Sequence, residues 1–220
     1  MPLHLNTVSD LLWESLTTLM TIEEFNNFRL VGGTSLSLQQ GHRESVDIDL
    51  FTDAAYGSVD FSRLEEILNE TFPYAETSSI GKVVFGRSYF VGVNEHNAIK
   101  LDIYYTNEPF VFPLLVEDNV RLASKEEIAA MKFEVISNGG RKKDFWDIHE
   151  LLDVFTLEQM LAFYEQRNPY GSTRQELLEA CLDFSIAEDD FTPNCYRGKV
   201  WELIKIDIEE QAQNLLDANN

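Results

Sequence analysis

Residues 43–51 read RESVDIDLF, and this stretch determines how the rest of the chain is interpreted. Apolar residues at positions 46, 48 and 50 alternate with Asp47 and Asp49, a pattern typical of a strand that buries one face. Because strand side chains alternate between faces, the two aspartates project from the same face, about 6.5–7 Å apart. Crowded carboxylates are costly unless a cation offsets them, and divalent ions such as Mg²⁺ prefer oxygen ligands. The stretch therefore predicts a metal-binding strand, with a solvated acidic face as the alternative.

The preceding residues 31–36, VGGTSL, have the composition of a strand end, a tight turn and a helix start. Such a turn exposes backbone N–H groups at the positive end of a helix dipole, an arrangement that binds phosphate. Thr34 or Ser35 could add a hydroxyl contact. The alternative is a tight connection in which one of these two side chains only caps the helix.

A second acidic strand is predicted at residues 99–105, IKLDIYY, where Lys100 and Asp102 share one face and apolar residues share the other. If this strand neighbours residues 46–51, Asp102 becomes a third carboxylate of the same metal site. The alternative is that Asp102 forms an ion pair with Lys100.

Hydrophobic spacing and turn residues predict the remaining elements, which together indicate an α+β fold. From Ser124 onward the pattern is helical, opening with the capping-box pair Ser124 and Glu127. The elements before it are a helix capped by Ser9 or Asp10, a short strand over 28–33, a helix from Thr34 that ends at Gly41, a helix over 60–72, a hairpin over 81–93 with Gly86 near its turn, and an edge strand over 110–116 containing Pro113.

Composition limits the classes of partner. The 220 residues include 38 Asp and Glu but only 17 Lys and Arg, and the net charge of −21 repels a polyanion such as RNA. A nucleic-acid partner therefore needs a local basic patch, for which residues 141–143 are the densest candidate; the alternative is an acidic surface that serves solubility. No apolar run is long enough to span a membrane, and residues 1–10 do not resemble a secretory signal, so we expect a cytoplasmic protein.

Four segments carry a resemblance to a known family: GGTSL at 32–36, RESVDIDLF at 43–51, KLDI at 100–103 and RKKDFWD at 141–147. Together they resemble the motifs of the AbiEii/AbiGii-type nucleotidyltransferases, toxin-like proteins of bacterial abortive-infection and toxin–antitoxin systems. These proteins belong to the DNA polymerase β-like nucleotidyltransferase superfamily. Beyond about residue 155 the chain carries no resemblance that supports an inference.

The resemblance implies roles for individual residues. Asp47 and Asp49 correspond to the metal-binding carboxylates, and Asp102 corresponds to the third carboxylate, which assists deprotonation of the acceptor hydroxyl. The turn that holds the triphosphate corresponds to Gly32, Gly33, Thr34 and Ser35. Further nucleotide contacts are implied for Arg43, where the family often has a basic residue, and for Lys143, Asp144 and Asp147 in the last motif.

Three side chains outside the acidic strands have alternative interpretations. Lys132, on the helix after Ser124, could touch phosphate, but a solvated helical lysine is the simpler interpretation. Phe145 and Trp146 could stack a base, but aromatic residues at this spacing more often belong to the core of an amphipathic helix.

The family resemblance also implies the fold and the reaction. It implies a nucleotidyltransferase-type mixed sheet flanked by helices at residues 1–122, with a helical C-terminal region at 123–220 packed on it. The implied reaction moves a nucleoside monophosphate from an NTP to an acceptor hydroxyl with Mg²⁺ (or Mn²⁺). RNA, tRNA especially, is the acceptor class implied, with a protein or a small molecule as alternatives.

Two further possibilities concern partners and activity. A cognate antitoxin is an implied partner, and no membrane partner is expected. The alternative to an enzyme is an inactive nucleotide- or partner-binding module of the same fold. The presence of all three aspartates argues against that alternative, because a protein that has lost turnover would not need all of them.

Overall fold

The computed structural model describes residues 2–77 and 84–218. The chain divides into two compact units. Unit 1 comprises Met1–Gly41 and Ser45–Ala123, and unit 2 comprises His42–Glu44 and Ser124–Asn220.

Unit 1 contains a mixed sheet of seven strands among the described residues, in the spatial order β3-β4-β5-β2-β1-β7-β6. The pairs β2–β5 and β1–β7 are parallel, and the other pairs are antiparallel. The prediction of an α+β fold with a mixed sheet is confirmed. The strands are β1 (Arg29–Leu30), β2 (Asp47–Thr52), β3 (Tyr74–Thr77), β4 (Gly86–Asn94), β5 (Asn97–Tyr105), β6 (Leu114–Glu117) and β7 (Val120–Ala123).

Three α-helices of unit 1 follow from local sequence signals. Helix α1 (Asp10–Met20) begins after Ser9, whose hydroxyl accepts a 3.1 Å hydrogen bond from the Leu12 N–H group. Helix α2 (Gly32–Gln40) ends at Gly41, which has the left-handed φ of 69° that glycine tolerates. Helix α3 (Phe61–Thr71) is capped by Asp60.

The core of unit 1 lies on one face of the sheet. Ile48 and Leu50 are fully buried there, whereas Asp47 and Asp49 alternate with them on the other face and are half-buried. The predicted alternation is therefore confirmed, except that Val46 precedes the strand and is exposed. The cluster also contains buried residues of α1, α3, β4 and β5, among them Leu16, Leu68, Val91, Leu101 and Ile103.

The predicted position of the hairpin turn was wrong. Gly86 begins β4 instead of lying near a turn, because its backbone lies so close to β5 that a Cβ atom would be 2.4 Å from the Ile103 carbonyl oxygen. The β4–β5 turn falls later, where the Asn94 side chain accepts from the His96 and Asn97 N–H groups. Residues 81–83 of the predicted hairpin lie outside the described residues.

Other strand predictions had mixed outcomes. Pro113 directly precedes β6, which is an edge strand as predicted. Strands β3 and β7, of four residues each, were not predicted.

Unit 2 is helical, as predicted for the chain from Ser124 onward. The Ser124 hydroxyl accepts from the Glu127 N–H group at 3.4 Å and caps the first helix. No helix among the described residues is both long and apolar enough to cross a membrane. The helices are α4 (Lys125–Ile136), α5 (Lys142–Leu151), α6 (Leu157–Arg167), α7 (Arg174–Cys181), α8 (Ser185–Glu188) and α9 (Trp201–Ala218).

We expect Arg121→Lys to lower the free energy of unfolding by about 2–3 kcal/mol. The Arg121 guanidinium, on β7, donates to the carbonyl oxygens of Met20, Phe25 and Phe28 at 3.1, 2.9 and 3.0 Å. These bonds come from three different nitrogens, and the one nitrogen of a lysine cannot occupy all three positions. Urea unfolding measures the change. The matched control is Arg174→Lys, whose pair with Glu165 lies near the surface and should cost less than about 1 kcal/mol. Equal losses in the two variants would contradict the structural role of Arg121.

Candidate active site

The parallel pairing of β2 with β5 brings the acidic residues together. In its register Asp47 lies opposite Lys100, Asp49 lies opposite Asp102, and Phe51 lies opposite Tyr104. The adjacency of the two strands that the sequence required is confirmed. Because side chains opposite each other in a sheet share a face, all three carboxylates project from the face of unit 1 that is opposite the core.

Lys100 places a positive charge beside Asp102. Its Nζ atom contacts Asp102 Oδ2, so the ion pair considered as an alternative is formed. Burial lowers the pKa of Lys100, but the hydrogen bond to Asp102 and the charges of Asp102, Asp47 and Asp49 outweigh it, and the net shift is upward. The second carboxylate oxygen of Asp102, Oδ1, is buried without a hydrogen-bond partner among the described residues. Asp102 therefore keeps an unsatisfied acceptor on the acidic face.

The start of α2 lies against the Asp49 carboxylate. A Cβ atom added to Gly32 would lie 2.7 Å from Asp49 Oδ2, and Gly32 has a φ of 65°, so only glycine fits both constraints. The N-cap residue is Val31, and its side chain makes no capping hydrogen bond. The first-turn N–H groups of a helix have no acceptor within the helix, so those of α2 offer donors beside Asp49.

Thr34 and Ser35 are buried and do not cap α2, so the capping interpretation is wrong. The helix begins at Gly32, two residues earlier than predicted. The Thr34 hydroxyl bonds to the Ser45 hydroxyl at 2.8 Å and to the Asp47 carbonyl oxygen, and the Ser35 hydroxyl donates to the Ala123 carbonyl oxygen at 3.3 Å. These hydroxyls connect α2 to the sheet, which leaves the backbone N–H groups as the donors for a phosphate.

The carboxylate oxygens of the acidic face suit a hard divalent cation, although they are not already grouped as metal ligands. Within residues 2–77 and 84–218, no three His, Cys, Asp or Glu side chains form an arrangement that could hold a metal ion. Lys100 instead provides the compensating charge. The facing carboxylates of Asp49 and Asp102, with the unsatisfied Asp102 Oδ1, are the oxygen ligands that Mg²⁺ and Mn²⁺ prefer.

Four of the remaining predicted site residues form a buried ionic network within unit 2, namely Arg43, Lys132, Asp144 and Asp147. The Lys132 ammonium lies 2.6 Å from both Asp144 Oδ1 and Asp147 Oδ2. Arg43 donates to both oxygens of Asp147 at 2.6 and 2.8 Å, and His42 Nε2 lies 2.9 Å from Asp147 Oδ1. The interpretation of Lys132 as a solvated lysine is wrong, because its side chain is buried and its ammonium pairs with two carboxylates on α5.

Electrostatics keep both aspartates of this network charged. Burial raises the pKa of Asp147, but the charges of Arg43 and Lys132 and hydrogen bonds from His42 and Arg43 hold it well below its usual range. For Asp144 the opposing effects are burial, which raises the pKa, and the charge and hydrogen bond of Lys132, which lower it, with a net downward shift.

Residues 141–143 do not form the basic patch considered from the sequence. Lys142 is buried, and its ammonium donates to the carbonyl oxygens of Glu188 and Asp190 at 3.1 and 2.8 Å. Only Arg141 is exposed, and Lys143 is half-buried. Phe145 and Trp146 belong to the core of unit 2, as their simpler interpretation predicted.

Sequence reasoning missed two aromatic residues beside the carboxylates. Phe51 and Tyr104 follow Asp49 and Asp102 by two positions, and their ring centroids lie 6.0 Å apart. The alternation that placed the aspartates on one face applied equally to these rings, so the signal was present in the sequence.

Comparison with known proteins identifies the family. The family model described as nucleotidyl transferase AbiEii toxin, type IV toxin–antitoxin system, matches residues 15–215. The chain belongs to this family. It is therefore an AbiEii-type nucleotidyltransferase of a type IV toxin–antitoxin system, in agreement with the resemblance carried by the four motifs.

Individual proteins resemble the chain in sequence or in fold. An uncharacterized protein of Aquifex aeolicus is 28% identical over 217 residues, which cover 91% of this chain and 96% of that protein. The fold of the AbiEii-type chain is similar to that of MenT4, a nucleotidyltransferase toxin of Mycobacterium tuberculosis, with a TM-score of 0.59 and 15% identity over 92% of this chain and 84% of that one. It is also similar to JHP933 of Helicobacter pylori, with a TM-score of 0.54 and 17% identity over 96% of this chain and 90% of that one.

We expect Asp147→Asn to lower the free energy of unfolding at pH 7 by about 3–5 kcal/mol, because it leaves buried cations without their partner. The pKa of Asp147 is depressed in the folded state, so its stabilisation is complete above the ordinary aspartate pKa of about 3.9 and is lost as the pH falls below that value. Wild-type stability should therefore fall more steeply below about pH 4 than that of the variant. Urea unfolding from pH 3 to 7 tests this.

The control for this measurement is Asp207→Asn, which removes a carboxylate that is more than half exposed and lies 2.9 Å from His149 Nε2. It should cost less than about 1 kcal/mol. Parallel pH profiles for wild type and Asp147→Asn would refute the buried network as the source of the acid sensitivity.

Proposed function

We propose that the protein transfers a nucleoside monophosphate from an NTP to an acceptor hydroxyl, using Mg²⁺ or Mn²⁺. The observation that carries this proposal is the register of β2 and β5, which sets Asp49 opposite Asp102 beside the first turn of α2. Carboxylates for a cation and backbone donors for phosphate then lie next to each other on one unit. In-line displacement at an α-phosphate needs this combination.

In the proposed site, Asp49 and Asp102 would hold the divalent metal, and Asp47 would have to move to become the third ligand, because no three acidic side chains of the described residues are already grouped to hold one. When bound, the metal neutralises charge on the triphosphate and on the departing pyrophosphate. The N–H groups at Gly32 and Gly33 bind the triphosphate from the end of α2, and the buried Thr34 and Ser35 keep that end in position.

Asp102 also accepts the proton of the attacking hydroxyl in this proposal. Its unsatisfied Oδ1 atom supports that role, since the oxygen has no hydrogen bond to give up among the described residues. Lys100 compensates the carboxylates while the metal is absent and stabilises phosphate charge when it is present.

For the last motif we propose that Lys143 contacts the nucleotide, as the resemblance to the family implies. Arg43, Lys132, Asp144 and Asp147 would support this segment through their ionic network. We also propose that the nucleotidyltransferase core is residues 1–122 and that residues 123–220 form the helical region.

The acceptor and the regulator are further parts of the proposal. We favour RNA as the acceptor, tRNA included, with a protein acceptor as the competing possibility. The net charge of −21 requires that an RNA be held by local cations and stacking instead of by the overall field. Membership of a type IV toxin–antitoxin family supports a cognate antitoxin as a partner.

We expect Mg²⁺–NTP to stabilise the wild type by about 2.7 kcal/mol at 100 times its dissociation constant. The double variant Asp47→Asn, Asp49→Asn should lose most of this stabilisation, because amides are poor ligands for a hard cation. Thermal unfolding with and without Mg²⁺–NTP measures it. Asp118→Asn, in the exposed β6–β7 turn where Asn tolerates the φ of 49°, is the control and should respond like wild type. Equal stabilisation of the double variant and wild type would exclude a metal at these residues.

We expect Asp102→Asn to bind NTP but to transfer the nucleoside monophosphate about 10²–10⁴-fold more slowly, because the variant lacks the proton acceptor. The experiment follows label from α-labelled NTP into total RNA, into protein and into small molecules, alongside calorimetric NTP binding. A variant as active as wild type would remove Asp102 from the mechanism. A wild type that binds NTP but labels no acceptor would favour the inactive binding module.

A further inference from the structure

The open face of the unit 1 sheet is arranged in rows across the strands. One row contains Asp49 and Asp102, with Ser88 as the next partner on β4. The neighbouring row runs through Arg29 on β1, Phe51 on β2, Tyr104 on β5 and Gly86 on β4. A row with one cation and two aromatic rings therefore lies directly beside the row of carboxylates.

The two rings are held in defined positions. Tyr104 lies against Gly86, where an added Cβ atom would be 2.4 Å from Cδ1 of the ring, and its hydroxyl lies 3.1 Å from the Ser88 hydroxyl. Phe51 is tilted by 49° to Tyr104 at a centroid distance of 6.0 Å. Both side chains are only half-buried, so ring surface is accessible on the face that carries the carboxylates.

Arg29 completes the row at its other end. Its guanidinium lies 3.8 Å from the centroid of the Phe110 ring and donates to the Phe112 carbonyl oxygen at 3.4 Å. On a chain with a net charge of −21, a fixed guanidinium next to exposed rings is suited to a nucleotide, whose base stacks and whose phosphate is anionic.

The row lies within reach of a nucleotide chain at the carboxylates. The N–H groups at the start of α2 lie beside Asp49, whose backbone carbonyl oxygen accepts from the Val31 N–H group. Phe51 and Tyr104 lie two positions further along β2 and β5, so the rings are next to the row in which the proposed transfer takes place. The acceptor is the reactant that needs this contact, because the triphosphate already has the N–H groups of α2, whereas the net charge of −21 offers an RNA no attraction.

We propose that Phe51 and Tyr104 form a stacking platform for an unpaired base at the end of an RNA acceptor. The proposal rests on the proposed nucleotidyl transfer and names the group that positions its acceptor. Stacking is tolerant of base identity and does not depend on net charge, so it provides the attraction for RNA that the acidic chain otherwise lacks.

The test compares RNA use and NTP use in variants that keep apolar volume but lose the aromatic face. Phe51→Leu and Tyr104→Leu should each raise KM for a short single-stranded RNA by about 5- to 150-fold, the effect of one lost base–aromatic stack, with KM for NTP unchanged. Tyr104→Phe should retain wild-type KM because it keeps the ring. Phe90→Leu is the matched control, since Phe90 lies on the same face in the row of Lys100 and Asp47, two rows away from the two rings, and should leave KM for RNA unchanged.

A second measurement is independent of turnover. Fluorescence anisotropy gives the affinity of each protein for a short labelled single-stranded RNA and for the same RNA with an abasic 3′-terminal residue. Wild type should bind the abasic RNA more weakly, by the same factor that the leucine variants lose on the normal RNA, and the variants should not distinguish the two RNAs. Circular dichroism verifies that each variant is folded.

The outcomes separate the platform from the proposed function. Leucine variants that discriminate against the abasic RNA as strongly as wild type would overturn the platform. Transfer of label to protein or to a small molecule, without transfer to RNA, would also overturn it while leaving nucleotidyl transfer intact. Failure of wild type to label any acceptor would overturn the proposed function, and the anisotropy measurement would still decide whether the rings bind a terminal base.

Discussion

The register of β2 against β5 is the constraint on which the candidate site depends. A shift of one residue would turn Asp102 to the core face and bring Leu101 or Ile103 to the acidic face. Such a shift is prevented by the full burial of apolar residues on the opposite side of both strands, including Ile48 and Leu50. Packing of the core therefore sets the position of the carboxylates, and no loop has to be ordered to bring them together.

The protein compensates its crowded acids in two different ways. In unit 2, Asp147 is enclosed and saturated by Arg43, Lys132 and His42, so its charge is fixed and has no capacity for another ligand. On the sheet of unit 1, a single lysine pairs with one oxygen of Asp102 and leaves the other unsatisfied. The second arrangement leaves an oxygen for the cation or the proton of the proposed reaction, whereas the first gives Asp147 a structural role.

The sequence predicted the features that local rules determine. Alternation identified β2 and β5, and capping identified the starts of α1 and α4 through Ser9 and Ser124. The starting point of α2 was missed because it depends on Gly32 fitting against Asp49, a contact between residues from different elements. The four-residue strands β3 and β7 gave too short a pattern to recognise, since each owes its place to its sheet neighbours.

The same difference between local patterns and contacts from distant elements explains which features of the site residues were predicted. Alternation alone placed Asp47 and Asp49 on one face, and it placed Asp102 with them only on the condition that β5 neighbours β2 in the sheet. The burial of Lys132 could not be predicted, because its partners Asp144 and Asp147 lie on the next helix and the pairing depends on how α4 and α5 meet. The burial of Lys142 was missed for a related reason, since the carbonyl groups that bind its ammonium come from near residue 190.

The assignment of His42–Glu44 to unit 2 has a consequence for how the chain can be divided. The backbone leaves unit 1 after Gly41, returns at Ser45 and leaves it again after Ala123. No single cut yields both units complete, and a fragment ending at Ala123 would retain His42 and Arg43 but lose Asp147. Expressed fragments, split reporters and circular permutants of this protein must therefore keep residues 42–44 together with the helices that follow Ser124.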